Sequence, residues 1–124
     1  MSTLTISNLN DGTTTVPTTN LTNGSVKAWV DGNGTGTVSS DDSFNLSSIT
    51  DGGTGTYTHN FVNSFAGTAY CPQVTGRGDG TSEGGWQTAT RVPSASNCLT
   101  NYFTYSGSAQ DQTAFSFLAL GDLA

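Results

Sequence analysis

GSVKAWVDGNGTGTVSSDDSFNLSSITDGGTGTYTHNF, residues 24–61, holds the densest strand signals in the chain and its clearest turn signals. Residues 25–30 alternate small or polar side chains with apolar ones before DGNGTG, which predicts a strand and a tight reversal. Residues 44–49 and 55–62 flank a DGG turn, which predicts a hairpin. In its second strand Tyr57, His59 and Phe61 share one parity, so we expect them on one face.

Weaker strand patterns surround this stretch. They lie at residues 69–75, 86–92, 100–106 and 113–120, with one short strand within residues 4–9. About seven short strands, and no apolar stripe of helical period, predict an all-β fold. We expect a small antiparallel β-sandwich, jelly-roll-like, with an extended N-terminal arm at residues 1–23 and a single sandwich domain at residues 24–124.

Composition bounds the size of the core and the classes of partner. Leu, Ile, Val and Phe occupy only 23 of 124 positions, while Ser, Thr, Asn and Gly occupy 63, so we expect oligomerisation to supplement the core. Three basic residues against nine acidic ones exclude a nucleic-acid footprint. No apolar run has the length of a membrane span. The first residues, MSTLTISNLNDG, lack the features of a secretory signal, so we expect assembly in a cytoplasm.

The central stretch also resembles a known module. The pieces GS-K-AWV, N-GTGTV, DSFN-SSITD-GTG-YT-NF and a terminal GDLA stand here at residues 24–30, 33–38, 42–61 and 121–124. This pattern is similar to a recurring module of tail-fibre-like structural proteins of tailed phages, especially those of marine and cyanobacterial hosts. The resemblance covers most of the first half and the last few residues. It implies a virion surface protein assembled in the host cytoplasm.

Motifs with chemical meaning are few. Residues 31–42 match much of a calcium-binding loop, but strand-like flanks, Thr35 at the fifth position and a short Asp42 at the last favour a hairpin. Most carboxylates precede Gly and resemble turn residues, and nothing places a nucleophile near the only histidine. We therefore expect no enzyme activity, no cofactor and no metal.

Binding residues are predicted from exposed loops and aromatic side chains. Trp29 has the opposite parity to Ala28 and Val30, so one of these faces points to solvent or to a partner, and Lys27 lies beside it. The remaining candidates are two residues of the RGD tripeptide in the Gly-rich stretch 76–85 and three further aromatic residues: Arg77, Asp79, Trp86, Tyr102 and Tyr105.

Subunit contacts are predicted for the arm and for the histidine. Leu4, Ile6 and Leu9 form the arm's apolar patch, and an arm with so little apolar surface commonly packs on a neighbour. His59 is expected in the core or at a subunit contact. In a homotrimer three copies of it could meet near the axis.

The two cysteines are expected to be free, partly buried thiols. A disulfide bridge between Cys71 and Cys98 remains the alternative.

Two functions are consistent with these features. The first is a non-enzymatic, tail-fibre-like module that attaches the virion to host-surface glycan or protein through the loops at residues 76–85 and 106–112. The second is a capsid decoration, or cement, protein whose arm ties capsid subunits together. A carbohydrate-binding module is a third, less favoured class. Expected partners are further copies of the chain, the tail or major capsid protein of the virion, and host-surface glycan.

Overall fold

The computed structural model of the chain describes residues 5–77 and 87–124. Within these ranges the elements are β1 (Asn8–Asn10), β2 (Thr15–Pro17), α1 (Thr18–Gly24), β3 (Val26–Asn33), β4 (Ser39–Phe44), β5 (Leu46–Asp51), β6 (Thr56–Phe61), β7 (Cys71–Arg77), β8 (Gln87–Ser94), β9 (Asn97–Phe103) and β10 (Ala114–Leu120).

Eight of the strands form two four-stranded antiparallel sheets. The first sheet has the order β4-β3-β10-β7, and the second has the order β5-β6-β9-β8. The two inner faces pack on each other, which confirms the predicted β-sandwich; two sheets of four strands also match the strand number of a jelly roll. β1 and β2 form a separate two-stranded ribbon in the arm.

Strict alternation along the central strands builds the core. Tyr57, His59 and Phe61 of β6 are buried, as their shared parity predicts. Phe115 and Phe117 of β10 face them from the first sheet, with Tyr57 and Phe115 stacked at a centroid distance of 5.1 Å. Aromatic rings fill more volume per residue than aliphatic side chains, so few apolar positions suffice for this core.

A single corner residue carries the chain from the first sheet to the second. Asn45, between β4 and β5, has a φ of 57°, the left-handed conformation that Asn tolerates better than most residues. Its Oδ1 accepts a hydrogen bond of 2.7 Å from Asn63 N, and its Nδ2 donates one of 3.0 Å to Asn63 O. The continuous strand predicted at residues 44–49 is therefore broken here, and β4 was not predicted as a separate strand.

The arm is more structured than the sequence predicts. β1 and β2 pair, and α1 follows directly, although none of these elements has a fully buried side chain. The helix was not predicted because TTNLTNG has no apolar stripe. The carbonyl group of Leu21 near its end is held by two residues that follow the helix: Lys27 Nζ donates to Leu21 O over 2.9 Å, and Ser25 Oγ donates to the same oxygen over 2.5 Å.

The C-terminal GDLA closes one end of the sandwich. Ala66 N donates to Asp122 O over 2.8 Å, and Ala124 N donates to Ser64 O over 3.0 Å. Gly121 lies so close to the core that a Cβ there would be 2.7 Å from the Cβ of Tyr70. Only glycine fits this approach, which explains the glycine at position 121.

Candidate functional site

The outer face of the first sheet, which we call the aromatic face, carries two parallel rows of side chains. Residues that are register partners across β4, β3, β10 and β7 form each row. The first row is Phe44, Trp29, Leu118 and Gln73. The second row, two residues along each strand, is Asp42, Asp31, Ser116 and Thr75.

Trp29 is the centre of the first row. Ala28 and Val30 on either side of it are buried in the core, so the predicted opposite parity of Trp29 is confirmed. Trp29 is half-buried, and its indole N–H makes no hydrogen bond to any residue that the structure describes. Phe44, its register partner on the edge strand, is 53% exposed. An aromatic pair on an open sheet face is not required by core packing.

A groove runs along this face beside Trp29. It has a cavity volume of about 360 Å³, with Trp29 and Asp31 on one side, Gln73 and Thr75 on the other. Leu118 and Ser116 lie between them, because their strand, β10, lies between β3 and β7. The groove thus combines an apolar end at the first row with hydroxyl, amide and carboxylate groups. Sites for small ligands commonly have this mixed lining and volumes of roughly 300 to 1,000 Å³.

Lys27 lies on the same face of β3 as Trp29 and also holds the arm. Its ammonium group is bound to the carbonyl of Leu21 and to the hydroxyl of Ser25. A cation at a helix C-terminus also interacts favourably with the helix dipole. The predicted pairing of Lys27 with Trp29 as one contact surface stays a prediction: the two residues lie on the same face of β3, and the ammonium group is bound at the end of α1.

Two predicted contact residues lie in the core instead. Tyr102 is 0% exposed and packs against Tyr57 and Phe115, so it cannot contact a ligand in this fold. His59 is also 0% exposed, with its ring stacked on Phe117 at a centroid distance of 4.4 Å. The core position expected for His59 is therefore confirmed, and the alternative in which three copies meet at a subunit axis does not hold, because its own chain encloses the ring.

The other predicted residues are scattered. Tyr105 is 84% exposed in the turn after β9, far along the chain from Trp29, and Ile6 and Leu9 are exposed in the arm. Arg77 is the last residue of β7, opposite Ala114. Leu4, Asp79 and Trp86, together with most of the predicted loop at residues 76–85, lie outside the described residues.

The turn after β3 is fixed by a buried tyrosine. Tyr57 Oη lies 3.1 Å from Asp111 Oδ1 and 3.3 Å from the carbonyl oxygen of Gly34, and it accepts a hydrogen bond from Gln112 N. Burial raises the pKa of Tyr57 to about 12, so the hydroxyl keeps its proton and donates at neutral pH. A side chain at Gly34 would overlap this hydroxyl.

The calcium-loop pattern proves to be a hairpin. Asp31 and Asp42 lie opposite each other on β3 and β4. Among the described residues no three His, Cys, Asp or Glu side chains cluster as a metal site.

Both cysteines are free thiols, as predicted, but Cys71 is not partly buried as expected. Cys71 is exposed at the start of β7, and Cys98 is buried in β9. Burial raises the pKa of the Cys98 thiol to about 11. The bridge left open by the sequence does not form.

The sequence missed Phe44, Leu118 and Gln73 as members of the site. Their shared row depends on the register between strands far apart in the chain, which no local pattern contains. The apolar residues on both parities of residues 113–120 were the available signal, since Leu118 and Leu120 could only lie on an outer face once Phe115 and Phe117 faced the core.

Comparison of the chain with protein-family models, with curated proteins and with solved structures finds no match. No helix in the described ranges is long and apolar enough to cross a membrane.

Proposed function

We propose that the protein is a non-enzymatic structural component of a phage virion surface that attaches the particle to its host through the aromatic face. The observation that carries the proposal is the row of Phe44, Trp29 and Leu118 on an open sheet face. In a chain with few large apolar residues, a half-buried Trp29 beside an exposed Phe44 on an open sheet face is best explained by a partner. The resemblance to tail-fibre-like modules supports the virion assignment, and its AWV segment contributes the central Trp29.

Three of the described carboxylates, those of Asp11, Asp51 and Asp111, are hydrogen-bonded within loops. Asp11 and Asp51 accept hydrogen bonds from backbone N–H groups of their own turns. Asp111 accepts from Gly55 N over 2.7 Å and from Tyr57. Each of these three groups stabilises a loop, so none is held as an acid or base facing a groove.

The test is adsorption of the phage in the presence of purified protein. Wild-type protein should occupy the host receptor and slow adsorption, and Trp29→Ala should lose this competition. Val62→Ala is the control, because Val62 is an exposed apolar residue outside the aromatic face. Labelled antibody on intact particles should mark the tail. If Trp29→Ala competed for adsorption as well as wild type, the assignment of host attachment to the aromatic face would be refuted.

The arm favours a second candidate, a capsid decoration protein. Ile6, Leu9 and Leu21 are exposed in the arm, whose elements have no fully buried side chain, and most of the arm's hydrogen bonds are internal. Exposed apolar side chains of this kind suit packing on a neighbouring subunit. Antibody label spread over the head, and loss of head binding in an Ile6→Ser, Leu9→Ser double variant, would support this candidate.

We also propose that the protein assembles as a homotrimer through the arm. Sedimentation equilibrium of wild type and the same arm double variant tests this assembly. A monomeric wild type would refute it, whereas a trimer that dissociates in the double variant would support it.

A further inference from the structure

We infer that Asn23 is a site of spontaneous deamidation, whereas the fold protects Asn33 from the same reaction. This inference concerns the chemistry of the arm and goes beyond the proposed function. The chain contains two Asn-Gly pairs, at residues 23–24 and 33–34. Because glycine has no side chain, its backbone nitrogen can closely approach the side-chain amide of the residue before it. The two pairs share this local chemistry, so their structural surroundings should decide which one reacts.

Deamidation needs no catalyst and no reactant other than water. The backbone nitrogen of the glycine attacks Cγ of the asparagine, a bond forms between them, and the side-chain amide leaves as ammonia with the proton of the glycine N–H. Water then opens the resulting five-membered succinimide. Cleavage of the bond between Cγ and the glycine nitrogen gives aspartate, and cleavage of the backbone C–N bond gives isoaspartate. The net change replaces a neutral amide by a carboxylic acid, which is ionised at neutral pH.

Hydrogen bonds hold both reacting groups of the pair at residues 33–34. Gly34 is buried, and its N–H donates to Gln112 O over 2.8 Å, which holds the attacking nitrogen in place. Asn33 Oδ1 accepts from Thr35 N over 2.8 Å and from Thr35 Oγ1 over 2.7 Å. Ring closure would have to break these bonds at a packed end of the sandwich, so it requires extensive opening of the fold.

The arm gives its own Asn-Gly pair none of this protection. Asn23 and Gly24 are exposed at the end of α1, and the Asn23 side chain makes no hydrogen bond to any residue that the structure describes. The contacts at this end, from Lys27 and Ser25, bind the carbonyl of Leu21 and do not involve the nitrogen of Gly24. Helical backbone angles keep this nitrogen away from Cγ of Asn23, so only the last turn of the helix must open before reaction.

Opening of α1 is easy because the helix is short and unpacked. It has seven residues, no buried side chain and no side-chain hydrogen bond at its N-cap. Helices shorter than about 12 residues are marginal in water unless tertiary contacts hold them. Thr and Asn, which fill most of TTNLTNG, have low helix propensity. The last turn should therefore open far more often than the packed strand end at Asn33.

The product should not return to the original helix. The new carboxylate lies at the C-terminal end of α1, where the helix macrodipole disfavours a negative charge. An isoaspartate also lengthens the backbone by one methylene group and so interrupts the helical hydrogen bonds. Deamidation thus loosens the junction between the arm and β3, and it adds one negative charge to a chain of net charge −6.

Peptide mapping of the full-length protein after incubation in mildly alkaline buffer measures the two rates separately. Trypsin cleaves after Lys27 and Arg77, which places Asn23 in the peptide 1–27 and Asn33 in the peptide 28–77. Tandem mass spectrometry then assigns the mass increase from amide to acid to one asparagine in each peptide. In the native protein Asn23 should deamidate at least about tenfold faster than Asn33. In urea, where the fold is lost, the two rates should be similar.

Two variants test whether the reaction belongs to this dipeptide. Asn23→Gln should remove most of the acidic product from the peptide 1–27, because the longer side chain would have to close a six-membered ring. Gly24→Ala should slow the native reaction about fivefold or more, since alanine favours the helix and its methyl group hinders the attacking nitrogen. A Cβ at Gly24 would meet no atom within 4 Å, so this variant should fold normally.

Several outcomes would overturn the inference. Equal native rates, or a faster reaction at Asn33, would show that the fold does not protect Asn33 selectively. If Asn23 did not react in the native protein while both asparagines reacted in urea, α1 would protect its own pair. A difference in rate that persisted in urea, or an unchanged native rate in Gly24→Ala, would mean that opening of the helix does not control the reaction.

Discussion

His59 should make the stability of the sandwich depend on pH. It is the only histidine in the chain, and it lies between the sheets with no exposed surface. Its Nε2 lies 3.1 Å from Thr100 Oγ1, while no described residue hydrogen-bonds its Nδ1. Phe117 and Phe115 cover the ring. A protonated imidazole there would bury a charge without a counter-charge, so burial lowers the pKa of His59 to about 4.

The sign follows from comparing the folded and unfolded states. In the unfolded chain histidine titrates near pH 6.5, so between that pH and about 4 the unfolded state binds the proton and the folded state does not. Acidification therefore favours unfolding, and the stability is lost as the pH falls through this window. Proton linkage gives a decrease in the free energy of unfolding of about 1.4 kcal/mol between pH 8 and pH 5.5.

Urea unfolding at pH 8 and pH 5.5, followed by tryptophan fluorescence, measures this difference. Most carboxylates titrate below pH 5.5, so His59 should dominate the change. The control is His59→Phe, which keeps an aromatic ring against Phe117 and removes the titrating group. The free energy of unfolding of His59→Phe should be nearly the same at pH 8 and at pH 5.5. If the free energy of unfolding of the wild type did not change between the two pH values, or fell equally in His59→Phe, the interpretation of His59 as a buried neutral histidine would be refuted.

Three further predictions concern the turns and the thiols. Gly34→Ala should lower the free energy of unfolding by about 1 to 3 kcal/mol in urea titrations, because its methyl group would displace the hydroxyl of Tyr57. Asn45→Ala should be less stable than Asn45→Gly by about 1 kcal/mol, since both lose the same hydrogen bonds and only alanine is strained at a φ of 57°; equal stability would contradict the strain. Cys71 should react with a thiol reagent in the native protein and Cys98 only after unfolding, giving one reactive thiol before urea and two after it.

The sequence predicts the core strands because their side chains alternate. Tyr57, His59 and Phe61 lie on one face wherever the second strand of the hairpin is placed, so their burial needs no knowledge of the partner sheet. The corner at Asn45 and the helix α1 do not follow from periodicity. Asn45 depends on hydrogen bonds to a loop 18 residues later, and α1 is a short segment without an apolar stripe. Both are set by contacts that a local pattern does not contain.

The candidate site is less predictable than the core. The parity of Trp29 relative to Ala28 and Val30 indicates that it leaves the core, and the structure confirms this. Parity alone does not say whether Trp29 or the set of Ala28 and Val30 is buried. It also does not identify which residues of adjacent strands lie next to Trp29. Tyr102 shows how far parity can be used. Because β9 carries aromatic residues on both parities, Tyr102 was as good a candidate for ligand contact as Trp29, and only the packing of the two sheets shows that it lies in the core.

The positions of the large apolar side chains distinguish those that pack the core from those available for binding. The inner faces are filled by stacked rings, with Phe117 and His59 in contact across the sheets. The second sheet's outer face is tied by polar contacts, such as those from Asn60 to the hydroxyls of Ser48 and Thr50. Among the described residues, only the first sheet pairs two aromatic side chains across its outer face, the half-buried Trp29 and the exposed Phe44, although a Thr or Ser would satisfy the strand there equally well. The two sheets have the same architecture and differ in this respect, which is why we propose the aromatic face as the binding surface.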